Sequence, residues 1–224
     1  MKIEIWSDIA CPWCYVGKRR FERALASFSH REEVDVLWRS FELDPTAPRT
    51  RSEPQAELLA RKYGVALERA SEMNANMTAE ARKEGLNFDF DRVKVGNSFD
   101  AHRLIHFAAT QGKREAMVER LFHAYLTEGS ALGDLDVLVR LAGETGLDIG
   151  AARAALESEA FTSDVRADEN RARLFGISGV PFFAIDERYG VSGAQPPEAL
   201  LDALRQAWSE RSGDDRVVAD SERQ

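Results

Sequence analysis

Cys11 and Cys14 stand three positions apart in DIACPWCYVGKRR, residues 8–20, and no other cysteine occurs among the 224 residues. Two thiols at that spacing have three uses: a disulfide staple, half of a metal site, or a redox centre. The staple is the weakest. Closing so short a loop removes little entropy from the unfolded chain, and a sequence of this length with 44% hydrophobic residues buries a core without it. A redox pair has a different requirement. The thiolate, not the thiol, attacks a disulfide, so something must hold negative charge on sulfur.

A helix beginning at the first cysteine would do so. Met1, Ile3 and Ile5 share one face of a short strand, and a turn follows at residues 7–10. From Pro12 onward Phe21, Ala24, Leu25 and Phe28 recur at helical spacing. Pro12 suits the first turn, where its missing N–H is no loss. Cys11 then meets free backbone N–H groups and the positive end of the macrodipole, while Cys14, one turn further in, is more covered. Position assigns the roles: Cys11 is the nucleophile, and Cys14 resolves the mixed disulfide that forms on it.

The rest of the chain must position this junction. A second strand over 34–43, VDVLWRSFEL, is apolar on both parities and reads as interior to a sheet. The proline-rich stretch 44–54 reads as a linker. Ser52 with Gln55 offers a capping box for a short helix that stops at Gly64, and Ala70, Met73 and Met77 mark the inner stripe of the next, ending at Gly85. LNFDFDRVKV, 86–95, alternates like a strand, or forms an extended connection. Helices are expected over 98–111, 113–128, 135–145 and 149–158, and from Thr162 or Ser163 to Gly176. GVPFFAIDERYGVSG reads as a hairpin turning at 186–188, and Pro197 opens a last amphipathic helix lined by Leu201, Leu204 and Trp208. The polar stretch 212–224 is expected to be a disordered tail. A β-α-β unit and a distant β-β-α unit thus bracket a helical block too long to be a loop. Neither unit has strands enough to bury a sheet alone, so the two should share one sheet with the block over its active-site end.

A net charge of -8 and a pI near 5.2 argue against nucleic acid or an anionic membrane as the main partner. The opening MKIEIWSD carries no charged n-region, long apolar run or small-residue cleavage site, which makes the cytoplasm the expected location. That compartment is reducing, so a permanent structural disulfide is not expected there.

SDIACPWCYVGKRRFE, NSFDAHRLIHFA and GISGVPFF together resemble the DsbA-like branch of the thioredoxin superfamily, and within it the FrnE-type members. The resemblance extends from Met1 to about Ser209. It implies an α/β, thioredoxin-like fold with an inserted all-helical subdomain. Residues 1–45 and 176–211 would form the discontinuous thioredoxin-like domain, 46–175 the insertion and its connections, and 212–224 the tail. It also implies a thiol–disulfide oxidoreductase working through a redox-active Cys11–Cys14 disulfide, with isomerase activity an open addition. Pro181 matches the cis-proline opposite the cysteines, and Val180 would pair its backbone with an extended substrate segment. Pro12, Trp13 and His102 are the remaining substrate-contact candidates. Protein or small thiol and disulfide substrates are implied, with glutathione a candidate co-substrate, no bound cofactor or metal, and a monomer or homodimer. Strongly oxidising relatives carry His between the cysteines; Pro12 and Trp13 here imply a less oxidising couple. Asp8 has two readings, a buried proton acceptor for Cys14 or a cap of the loop or helix.

Three alternatives compete. Cys11 and Cys14 with His102 and His106 have the ligand types of a zinc site, but the pairs lie much farther apart than the roughly 12–15 residues of a small zinc module. His102 or His106 would otherwise line the cleft above Cys11. Kappa-class glutathione transferases and 2-hydroxychromene-2-carboxylate isomerases are also similar around NSFDAHRL, but place a catalytic serine at the position matching Cys11 and need no resolving thiol. A chaperone surface built on Met73, Met77, Phe88 and Phe90 is the third, although at helical spacing such methionines belong to a core.

Overall fold

The computed structural model describes residues 1–221, with side chains as far as residue 211. Strand β1 (Lys2–Ser7) leads through the loop carrying Cys11 into helix α1 (Pro12–Ala26) and on to strand β2 (Asp35–Ser40). Seven helices follow: α2 (Gln55–Tyr63), α3 (Leu67–Lys83), α4 (Phe99–Ala109), α5 (Arg114–Leu126), α6 (Leu135–Glu144), α7 (Ile149–Glu157) and α8 (Thr162–Leu174). The chain then returns as strands β3 (Phe182–Ile185) and β4 (Tyr189–Ser192) and ends in helix α9 (Pro197–Ser221). Residues 86–95 form a connection with a turn over 90–92 rather than a strand.

The two terminal units do share one sheet, in the order β2-β1-β3-β4. β1 pairs in parallel with β2, Ile5 opposite Trp38, and antiparallel with β3, Ile5 opposite Phe183. The order corrects one expectation: β2 is an edge strand, not an interior one. Its two apolar parities arise because helices cover both faces there, with α8 packed directly against it.

Alternation along β1 divides the core. Ile3 and Ile5 point into a cluster with Phe21, Ala24, Phe28 and Phe183, closed by Leu200, Leu204 and Ala207 of α9. Trp6, of the other parity, packs with Ala172, Ile177 and Ala184 under α8 and donates from Nε1 to the Asp168 carbonyl at 3.0 Å. The first cluster runs on without a break into the helical block: Tyr15 of α1 stacks on Phe122 of α5, centroids 4.9 Å apart.

Local signals placed most boundaries. The β3–β4 turn holds Asp186 and Glu187 at φ 47° and 58°, with Arg188 N–H donating to the Ile185 carbonyl, the mirror-image turn that suits hairpin twist. The Ser52–Gln55 capping box does not form; α2 begins after Pro54 with no side-chain cap. The buried stripe of α9 is Leu200, Leu204 and Ala207, with Leu201 and Trp208 at its margin. The backbone of α9 continues past residue 212, across the start of the expected tail. Side chains from 212 on, and residues 222–224, lie outside the described residues.

Candidate active site

Cys11 is the N-cap of α1, in extended conformation at φ -96° and ψ 111°, and Pro12 occupies the first turn. Its N–H donates to the Asp8 carbonyl at 3.0 Å, which closes the turn between β1 and the helix. No acidic residue sits in the first turn of α1 to oppose a thiolate there. Across the site the Val180–Pro181 peptide is cis. The Cys11 thiol lies 3.7 Å from the Val180 carbonyl oxygen, in reach to donate to it. The Pro181 carbonyl accepts from Gly193 N–H at 2.8 Å, tying this loop to the end of β4.

Both cysteines are free thiols and both are buried, but not equally: Cys11 keeps 5% of its surface and Cys14 1%. Burial pushes the Cys14 thiol well above its usual range, and the neighbouring Cys11 pushes it further. The Asp8 backbone and the Ser7 hydroxyl act against this without reversing it. Trp13, between the two, is 43% exposed and projects at the surface, with Pro12 and Val180 half-buried beside the thiols.

Asp8 holds the loop. Its Oδ1 accepts from Ala10 N–H at 3.0 Å and its Oδ2 from Leu43 N–H at 2.7 Å, binding the turn to the segment after β2. Burial alone would raise its carboxyl, but His102 and these two donors outweigh that and hold it low, which makes it a poor proton acceptor. His102 corrects another expectation. It is 2% exposed and lies beneath the site, Nε2 3.5 Å from Asp8 Oδ1, so no substrate reaches it. His106 lies farther along α4 against Asp168 and Ser40, each 3.1 Å from Nε2. Both contacts fall on one ring nitrogen, so the three side chains do not form the relay of a hydrolase, which needs both. Among the described residues no group of three or more His, Cys, Asp or Glu is arranged to hold a metal ion.

NSFDAHRL is a bracket for the site. Asn97, one residue before the N-cap Ser98, accepts at Oδ1 from Phe99 N–H at 2.7 Å and donates to Glu42. Arg103 is buried, pairs with Asp100, and donates to the carbonyls of Ala155, Leu156, Ser158 and Ala160 at the end of α7. Two residues at the site escaped sequence reasoning. Ser7 lies beside Cys14 and carries no local signal. Gly17 stands inside α1, where a helix interior disfavours glycine, and that misfit was a signal of close packing.

A family model described as DSBA-like thioredoxin domain matches residues 2–205. The chain belongs to this family. The DSBA-like fold is shared with the crystal structure of a probable DsbA oxidoreductase from Streptomyces coelicolor, at 46% identity and a TM-score of 0.91, covering 94% of this chain and 91% of that one. The uncharacterized Bacillus subtilis protein YwbO is 30% identical over 187 residues, 83% of this chain and 86% of its own. Two further structures share the fold alone. They are the cytosolic disulfide reductase DsbM from Pseudomonas aeruginosa with GSH (18% identity, TM-score 0.64, 93% and 100% covered) and a 2-hydroxychromene-2-carboxylate isomerase (15%, 0.63, 98% of each chain).

Proposed function

We propose that this DSBA-like protein exchanges disulfides with protein or small thiol substrates through Cys11 and Cys14, Cys11 attacking and Cys14 resolving. The observation that carries the proposal is the unequal setting of the two thiols on one helix turn. Cys11 caps α1 beside the Val180 carbonyl, and Cys14 is enclosed with its thiol pushed up. The Pro181 loop and the exposed Trp13 give an extended substrate segment a surface next to Cys11. Glutathione is proposed as a co-substrate because the DsbM structure of the same fold holds it. A FrnE-type assignment and an isomerase activity rest on the CPWCYVGKRRFE and NSFDAHRL motifs. A cytoplasmic location is proposed because DsbM, a protein of the same fold, is cytosolic.

Mass spectrometry after exposure to oxidised glutathione tests the roles. Cys11→Ser should take up no adduct, and Cys14→Ser should accumulate a mixed disulfide that the unaltered protein clears. Loss of exchange in neither variant would sink the proposal. Full isomerisation of a chromene substrate by the Cys14→Ser protein would favour the glutathione-dependent isomerase instead.

A further inference from the structure

Cys14 has to lose a proton before it can attack, and it does so out of contact with solvent. Asp8 is committed to two backbone donors and held in its charged form, so it is a weak candidate to receive that proton. The structure supplies another route. A small cavity, with about 10 Å³ open to the centre of a water molecule, is bounded by Ser7, Ile9, Trp38, Ser40, His102 and Val118. That is room for about one water. Ser7 Oγ and His102 Nε2 are buried and make no hydrogen bond of good geometry, although Cys14 stands beside the hydroxyl and Asp8 Oδ1 lies 3.5 Å from the ring nitrogen; both residues line this cavity. Two such polar atoms facing a cavity whose walls include Ile9, Trp38, Ile105 and Val118 are costly unless something bridges them.

We infer that Ser7 and His102, bridged by one water in this cavity, form the proton route of Cys14. The inference rests on the thiol-exchange reading. In the reducing direction Cys11 already carries substrate sulfur. The Cys14 proton passes to Ser7 Oγ as the Ser7 proton passes through the water to His102 Nε2. Cys14 Sγ bonds to Cys11 Sγ, the bond from Cys11 to substrate sulfur breaks, and its electron pair leaves with the substrate as thiolate. The Cys11–Cys14 pair is oxidised and the substrate reduced, with no further reactant. In the oxidising direction the imidazolium returns its proton to the departing Cys14.

The groups facing His102 suit this. Asp8 lies 3.5 Å away on the β1–α1 loop, and Glu42 and Glu169 stand behind it from the β2 side and α8. Arg39 borders the cavity, His106 on the same helix is turned to Asp168, and Tyr125 of α5 lies near Asp8. Burial disfavours a charged imidazole, but the carboxylates outweigh it and raise His102 above its usual range. The neutral imidazole can take up the proton, and the surrounding carboxylates stabilise the imidazolium that forms.

Reaction with 5,5′-dithiobis(2-nitrobenzoate) separates the two thiols. Cys11 attack releases one thionitrobenzoate, and Cys14 attack on the resulting mixed disulfide releases the second. For the unaltered protein the second phase should rise with pH through the titration of His102. His102→Gln and Ser7→Ala should slow the second phase at least tenfold at neutral pH, against roughly 10²–10⁴-fold for a positioned acid–base group. His102→Gln should also erase that inflection, a change that mere loosening of the fold would not produce. Should the variants fail to fold, imidazole NMR of the unaltered protein decides. The His102 titration should move between the dithiol and disulfide forms. An unchanged second phase in folded variants, or a His102 titration indifferent to the redox state, overturns the route while leaving thiol exchange standing. Absence of a second thionitrobenzoate release from the unaltered protein overturns both.

Discussion

Helix α1 passes so close to the cis-proline loop at Gly17 that a Cβ there would sit 2.8 Å from Pro181 Cγ and 3.4 Å from its Cβ. Neither the pyrrolidine ring nor the helix backbone has freedom to give way, so glycine sets the approach of Pro181 to the helix that carries Cys11. Gly17→Ala should cost about 1–3 kcal/mol in urea unfolding, typical of an overpacked contact. It should also slow exchange with a peptide disulfide more than it slows alkylation of Cys11 by iodoacetamide. Equal slowing of both would mean that Gly17 serves packing alone.

Trp13 is exposed between two buried thiols, which gives it little part in stability and leaves its ring open to a docking segment. Trp13→Ala should leave the unfolding midpoint within about 0.5 kcal/mol of the original, as surface changes do. Reduction of a protein disulfide such as insulin should weaken several-fold, with reaction toward small disulfides nearly unaffected. A parallel loss toward both substrates would place Trp13 in the chemistry and not in docking.

Glu4 lies in the sheet at 1% exposure. Arg39 reaches it from β2 at 2.6 Å and Arg171 from α8 at 2.8 Å. Burial would raise its carboxyl, but the two guanidiniums dominate and bring it down to about 2 from 4.5. A carboxylate lowered in the folded state adds stability that is fully present above its unfolded value and is lost as pH falls through the folded one. Stability should therefore decline as pH drops from about 5 toward 2. Glu4→Gln should flatten that decline while lowering stability at neutral pH. Acid unfolding curves of the two proteins that superimpose would disprove the assignment.

Arg103 is 4% exposed, and one guanidinium serves Asp100 and the carbonyls at the end of α7. Arg103→Ala leaves several carbonyls without their donor and the Asp100 carboxylate with only the more exposed Arg49, 3.3 Å away, at about 3–5 kcal/mol. Lysine should recover little, because a point charge cannot reproduce the fork. Thermal unfolding of the three proteins checks this, and a lysine variant as stable as the original would refute it.

The sequence by itself determined what depends on near neighbours along the chain. Pro12 at the start of α1, the glycines at 64, 85 and 176 that follow α2, α3 and α8, and Asp186 in the hairpin each mark a boundary through their own backbone preferences. The unequal settings of Cys11 and Cys14 were legible for the same reason, since a helix turn separates them whatever the rest of the chain does. Tertiary structure decided everything that required a partner far away in sequence. β2 became an edge because β3, some 140 residues later, took the other side of β1, and hydrophobicity alone does not say which side is filled. His102 went beneath the thiols instead of into the cleft because α4 turns that face toward Asp8, and helical periodicity gives a face but not its neighbour. Ser7 and Gly17 gained meaning only once Cys14 and Pro181 were packed against them. A lone hydroxyl carries no information, and a missing Cβ inside a helix says only that something comes close, until the tertiary structure supplies the neighbour.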